Sequence, residues 1–164
     1  MSSERSLLTR SNVILVVGAL ISPWLLCQVW ILTSAGAEPF DEMPTCESTS
    51  MNCAHLGGNA DFRMEELSLT VNASIEEVQL DLEAYIASNK GDVLVAESGD
   101  GAHYVHYVGR TLFWQFPVDD VVGLTKLDEV NTQSELQSKS RVGEGEHGRN
   151  PNRLAGITGA SLAR

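Results

Sequence analysis

The residues whose types could do chemistry are Asp119-Asp120, Ser140-Arg141, and Asn150 with Arg153, with His103 and His106 upstream of them. Two carboxyls can share acid–base work when both face one cleft. Adjacent residues of a strand point to opposite faces, so Asp119 and Asp120 are expected to diverge. One of them is expected to meet Arg141 as a structural ion pair, since such pairs perturb carboxyls without any catalysis. The same geometry separates His103 from His106 and argues against a shared metal. Ser140 has no histidine placed as its base, so a nucleophilic role lacks support. Gly143 to Gly148 spells G-x-G-x-x-G, but a dinucleotide fingerprint requires a βαβ unit around it. Glu144 and Glu146 inside that loop would also repel a pyrophosphate. No cofactor is expected.

The cysteines offer one further possibility. Cys46 and Cys53 either close a small disulfide loop, which an exported domain would permit, or remain thiols in a flexible tether. His55 lies nearby, but too few further ligands have convincing spacing for a metal. Cys27 falls within an apolar run and is read as packing. Asn72-Ala73-Ser74 has the form of a glycosylation sequon, although a helix-capping role for Ser74 explains it equally.

The elements that must position these residues begin with a hydrophobic segment. No charged residue occurs from Ser11 to Ala37. The twenty positions Val13 to Leu32 would span about 30 Å as a helix, the thickness of a bilayer core. Gly18, Ser22, Pro23 and Gln28 interrupt the run, and Trp24 and Trp30 are candidate interfacial anchors. Arg5 and Arg10 precede it, and no Lys or Arg follows until Arg63. The positive-inside rule then makes the N-terminus cytoplasmic and exports the remainder, to a periplasmic, lumenal or extracellular side. A cleaved signal ending at Ala35-Gly36-Ala37 is the rival reading, and it places the domain in the same compartment.

The whole chain's formal net charge of −11, from 22 acidic and 11 basic residues, argues against nucleic acid as a partner. It also argues against polybasic attachment to anionic lipid. The division expected is 1–37 as cytoplasmic N-terminus and membrane helix, 38–60 as flexible linker, and 61–164 as one folded domain. Glu66 to Val71 alternates as a strand, and Ser74-Ile75-Glu76-Glu77 reads as a capping box before a helix faced by Ile75, Val78, Leu82, Tyr85 and Ile86. Asn89-Lys90-Gly91 is the stop, with Gly91 in a positive φ. Strands are expected at Val93–Glu97, His103–Gly109, Thr111–Phe116, Val118–Leu127 and Gln133–Val142. Asn150-Pro151 reads as the cap and first residue of a last short helix. The fold class is α+β: an antiparallel sheet packed by one long and one short helix. The long helix is expected to cover an apolar face that includes Leu112, Trp114 and Phe116.

The segments Phe116-Pro117-Val118-Asp119-Asp120-Val121 and Ser138-Lys139-Ser140-Arg141-Val142-Gly143, followed by Gly148, Asn150 and Arg153, resemble the DUF1499 family. Asn52-Cys53 is similar to that family's entry segment. Glu146 stands where the family pattern has Asp, and Pro151 follows Asn150. The resemblance, over about Met51 to Leu154, implies a small exported or membrane-associated domain and a shared polar cluster, with no established reaction. In that cluster Asp119, Asp120, Ser140, Arg141, Asn150 and Arg153 either tie the last strand, glycine loop and final helix together, or offer Arg141 and Arg153 to an anionic ligand. The functional expectation is a non-enzymatic, membrane-anchored accessory module, with the bilayer and other membrane subunits as partners. The alternative is an exported domain that binds an apolar or anionic small molecule. A hydrolase using Asp119 or Asp120 ranks third.

Overall fold

A computed structural model describes residues 10–36, 38–58, 61–64, 69–143, 145 and 148–162. Helix α1 (Arg10–Ser34) runs unbroken through Pro23. Its stretch Asn12–Ser34 is long and apolar enough to cross a membrane. The domain follows as β1 (Cys53–Leu56), β2 (Thr70–Val71), α2 (Ile75–Ser88), β3 (Asp92–Gly99), β4 (Ala102–Arg110), β5 (Pro117–Lys126), β6 (Thr132–Ser140) and α3 (Arg149–Ile157), with a π-helical turn at Thr158–Leu162. The sheet is antiparallel, ordered β1-β6-β5-β4-β3, and β2 pairs with the other end of β6 beside β1. The fold is therefore α+β.

Period-two alternation assigns each strand two faces. Val105 and Tyr107 of β4, Val122 and Leu124 of β5, Leu136 of β6, and Ala54 and Leu56 of β1 share one core with Val78, Leu82 and Ile86 of α2 and Leu154 and Ile157 of α3. Ser74 caps α2 in a full capping box with Glu77. Ser74→Ala is expected to cost about 1 kcal/mol, measured as a shift in the denaturation midpoint at unchanged slope. The β3–β4 hairpin turns through Asp100 (φ 51°) and Gly101 (φ 76°), the pair of positive φ values that a type I′ turn demands.

Four expectations need correction. The stop after α2 takes its positive φ at Lys90 (54°), not Gly91. Gly91 is required for space instead, because a Cβ there would lie 2.8 Å from both Ile86 Cγ2 and Tyr107 Cδ2. Thr111–Phe116 is no strand and is not covered by α2: it is the β4–β5 connection, and Leu112 is 96% exposed. Arg110 pairs with Pro117, so the six residues between them have no neighbouring strand to join. Gly148 caps α3, and Asn150 sits buried inside its first turn. Finally, the segment read as linker contributes β1 to the sheet, so the folded region starts before residue 61. The Glu66, Leu67 and Ser68 positions of the first expected strand, and Glu144, Glu146 and His147 of the glycine loop, lie outside the described residues.

Segment 38–52 crosses the sheet face opposite α2. There Phe40 stacks on His106 with ring centroids 4.7 Å apart, and Tyr104 donates its hydroxyl to the Phe40 and Glu42 carbonyls at 2.8 and 3.1 Å. A Cys46–Cys53 disulfide holds the returning chain to β1. Cys27 is a free thiol on α1.

Candidate functional site

Strand β5 carries Asp119 and Asp120 to opposite faces, and each carboxylate finds its own arginine. On the face under Phe40, Arg141 grips Asp119 with two bonds, Nε to Oδ2 at 2.8 Å and Nη2 to Oδ1 at 2.6 Å. His106, fully buried on β4, donates from Nε2 to the same Oδ1 at 2.7 Å. Its Nδ1 accepts the Phe40 amide proton at 3.0 Å, and that bond fixes the ring proton on Nε2. Burial pushes the Asp119 carboxyl up, but the bonds from Arg141 and His106 outweigh it and hold the group below the usual range.

On the helix face, Asp120 is completely buried. Ser138 Oγ donates to its Oδ1 at 2.6 Å, and Arg153 reaches it from α3 through Nε, 3.2 Å from Oδ2, and through Nη2. Burial raises this carboxyl, and the Arg153 and Ser138 bonds only partly offset it. Gly109 of β4 permits the approach, since a Cβ there would collide with the Arg153 guanidinium. The Tyr107 hydroxyl is buried and has no hydrogen-bond partner among the described residues. Burial, then the nearby Asp120, raises its pKa far above the ordinary tyrosine value.

A third tie closes the end of the sheet. Asn150 Nδ2 donates to the Asn52 carbonyl at 2.5 Å, and Ser140 Oγ donates to Asn150 Oδ1 at 3.3 Å. Asn52 Nδ2 in turn donates to the carbonyls of Ser140 (3.2 Å) and Gly143 (2.9 Å). The six residues singled out in sequence thus form three separate pairs: Asp119 with Arg141, Asp120 with Arg153, and Ser140 with Asn150. His106, Phe40, Ser138 and Gly109 were not assigned to them. Only the strand register and the His106 position two residues from Val108 could have placed that ring over Asp119, which pairs with Val108 across the sheet.

Arg141 and Arg153 are each engaged by an internal carboxylate, and each also lines a cavity. Among the described residues no group of three or more His, Cys, Asp or Glu is arranged to hold a metal. His103 lies on the α2 side, its Nδ1 2.7 Å from Ser98 Oγ, and far from the face that His106 occupies.

The open site lies beside these ties. A cavity of about 780 Å³ is bounded by Trp30 of α1, Trp114 and Phe116 of the β4–β5 connection, Val118, and Arg110 and Arg149. Its size is that of a small-molecule site. Its lining combines apolar and aromatic side chains with the arginines Arg110, Arg149 and Arg153 and the first turn of α3. Trp30 meets Phe116 edge to face at 6.4 Å between centroids, so α1 itself closes the cavity.

A family model described as Protein of unknown function (DUF1499) matches residues 39–160, about three-quarters of the chain. The match takes in Phe40, the disulfide, all three ties and most of the cavity wall, and leaves out α1. No curated protein matches the chain.

Proposed function

Since the chain belongs to the DUF1499 family of proteins of unknown function, membership brings no activity with it, and we propose a role from geometry: a membrane-anchored accessory protein whose domain holds an anionic amphiphile at the bilayer surface. The observation that carries this reading is the cavity shared between α1 and the domain, which brings Trp30 and Trp114 together with Arg110 and Arg149. An acyl chain and an acidic headgroup need those two kinds of side chain. A helix N-terminus favours negative charge as well.

In this reading α1 is a retained single span, with the N-terminus cytoplasmic and the domain exported. Support for retention comes from the face Trp24, Cys27, Gln28 and Ile31, partly or fully buried at helical spacing against the domain. A cleaved signal would remove that face and one cavity wall. The Cys46–Cys53 bond suits an oxidising compartment. An accessory role in place of a catalytic one is supported by Asp119 and Asp120 both being engaged by arginines.

The test is purification of the full chain from its membrane in mild detergent, followed by mass spectrometry of what it retains. An anionic lipid at fixed stoichiometry is expected. Arg149→Glu should lower retention roughly tenfold or more, as loss of one charge-assisted bond implies. A carboxylate at that first helical position suits the helix dipole, so the loss would not reflect an unwound α3. Retention of no amphiphile by the wild type would overturn the binding role.

A second reading, a small subunit of a larger membrane assembly, is favoured by one observation. Gly18 and Ser22, four apart, lie exposed on α1, and nothing approaches Gly18 within 4 Å. Small residues at that spacing suit close helix–helix packing. Co-purification of a stoichiometric membrane protein, lost in Gly18→Leu, would establish it.

A further inference from the structure

We infer that the β4–β5 connection, Thr111–Phe116, is a second membrane element, a loop that dips into the bilayer alongside α1. The inference rests on the reading of α1 as a span and adds to it a contact that the span does not require.

The side chains point the wrong way for water. Leu112 is 96% exposed, Phe113 65% and Trp114 40%. The six residues carry no charge, and an apolar cluster of this kind on a small domain marks a contact surface. The backbone is the second observation. Thr111 and Leu112 carbonyls accept from Gln115 Nε2 at 3.0 and 2.8 Å. Phe113 and Trp114 carbonyls accept from Trp24 Nε1 at 2.9 Å and Gln28 Nε2 at 3.0 Å, both on α1. The Phe116 carbonyl accepts from the Thr111 amide at 3.0 Å, and the Phe116 amide donates to Thr111 Oγ1. A water-exposed loop can leave its carbonyls to solvent. A loop in hydrocarbon must satisfy them from the protein, and here five of the six carbonyls are so bonded while the apolar side chains are exposed.

Depth follows from the partners on α1. Trp24 lies ten residues before the helix end at Ser34, which places the loop tip about 15 Å along the helix from that end. That is near the middle of the Asn12–Ser34 stretch. The bonds are reciprocal, because Gln28 and the Trp24 indole are the polar groups that a span would otherwise leave unpaired in lipid. The occupant of this surface is the bilayer, not a protein partner: the apolar tip is continuous with the exposed Leu20, Leu25 and Val29 of α1. Arg110 at the loop base sits where a cation would meet the headgroups.

The experiment places a nitroxide label at Leu112→Cys and, separately, at Leu20→Cys. Both are made in the full chain carrying Cys27→Ala with the disulfide intact, reconstituted in vesicles of phosphatidylcholine and phosphatidylglycerol. Collisions with oxygen and with a water-soluble nickel chelate report depth. The expected result is that both labels favour oxygen and are shielded from the chelate, while a label at Asp100→Cys, in the opposite hairpin turn, meets the chelate freely. Shielding at Leu20 with full chelate access at Leu112 would overturn the dipping loop and leave the span standing. Chelate access at both would overturn the span and the loop together.

Discussion

Asp119→Asn is expected to destabilise the domain by about 3 kcal/mol, because it removes the one anion from a buried set that keeps its cation. The Arg141 side chain is 10% exposed and His106 not at all, so neither can regain water without opening the packing of Phe40. The amide offers Arg141 a weaker acceptor and presents donors of its own to two donors. Urea denaturation of the full chain in detergent, followed by near-ultraviolet circular dichroism, measures the loss. The pH dependence gives an independent sign. The folded-state pKa of Asp119 is lowered, so its contribution is complete above the unfolded value of about 4 and disappears as pH falls through the folded value. Asp120 has the opposite shift: the folded protein takes up that proton more readily, which favours folding as pH falls through the raised value. Asp119→Asn should therefore flatten the acid limb of stability, and Asp120→Asn should steepen it. The same change of slope in both variants would contradict the assignment of the two carboxyls to separate environments.

Gly109→Ala is expected to cost about 3 kcal/mol as well, although it only adds a methyl group to a strand. The new Cβ would occupy the place of the Arg153 guanidinium and come within 3.2 Å of Asp120 Oδ2. The arginine, partly open to solvent, would swing outward and leave a completely buried carboxylate with only Ser138 as donor. Two signatures separate this from simple crowding. The deficit relative to wild type should shrink on acidification, as Asp120 becomes protonated. Gly109→Ala combined with Asp120→Asn should be more stable than Gly109→Ala alone. A double variant whose loss is the sum of the two single losses would show that the methyl group acts through packing.

Much of this arrangement was legible in the residues. The alternation that sends Asp119 and Asp120 to opposite faces is a property of any strand, and the S-x-x-E capping box announces the start of α2. The strand at Thr111–Phe116 failed for a physical reason. Leu112, Trp114 and Phe116 alternate as a buried strand would, yet periodicity cannot say whether an apolar face meets a helix or lies open beside α1. The α1 docking face was hidden in the same way. A helix apolar on every side offers no stripe to mark Trp24, Cys27, Gln28 and Ile31. The place of β1 depended on its partner, since the four residues of Cys53–Leu56 carry too short a pattern to declare a strand. His106 needed the register of β4 on β5 and the return of Phe40 across the sheet.

The position of β6 has a consequence for the order of events in a chain made from its N-terminus. Among the described residues the ladders of β1 and β2 both run against β6, the last strand described. Until β6 has emerged, neither has its ladder partner, Arg141 is absent from Asp119, and α3 has not delivered Arg153 to Asp120. Closing such long-range contacts is slow compared with local hairpins. The β3–β4–β5 meander can form early, but the sheet cannot lock around the disulfide-bearing entry segment until nearly all of the domain is present. A chain ending before Thr132 would hold out an incomplete sheet with β5 as a bare edge, so folding of the domain is in this topology a late, single closure.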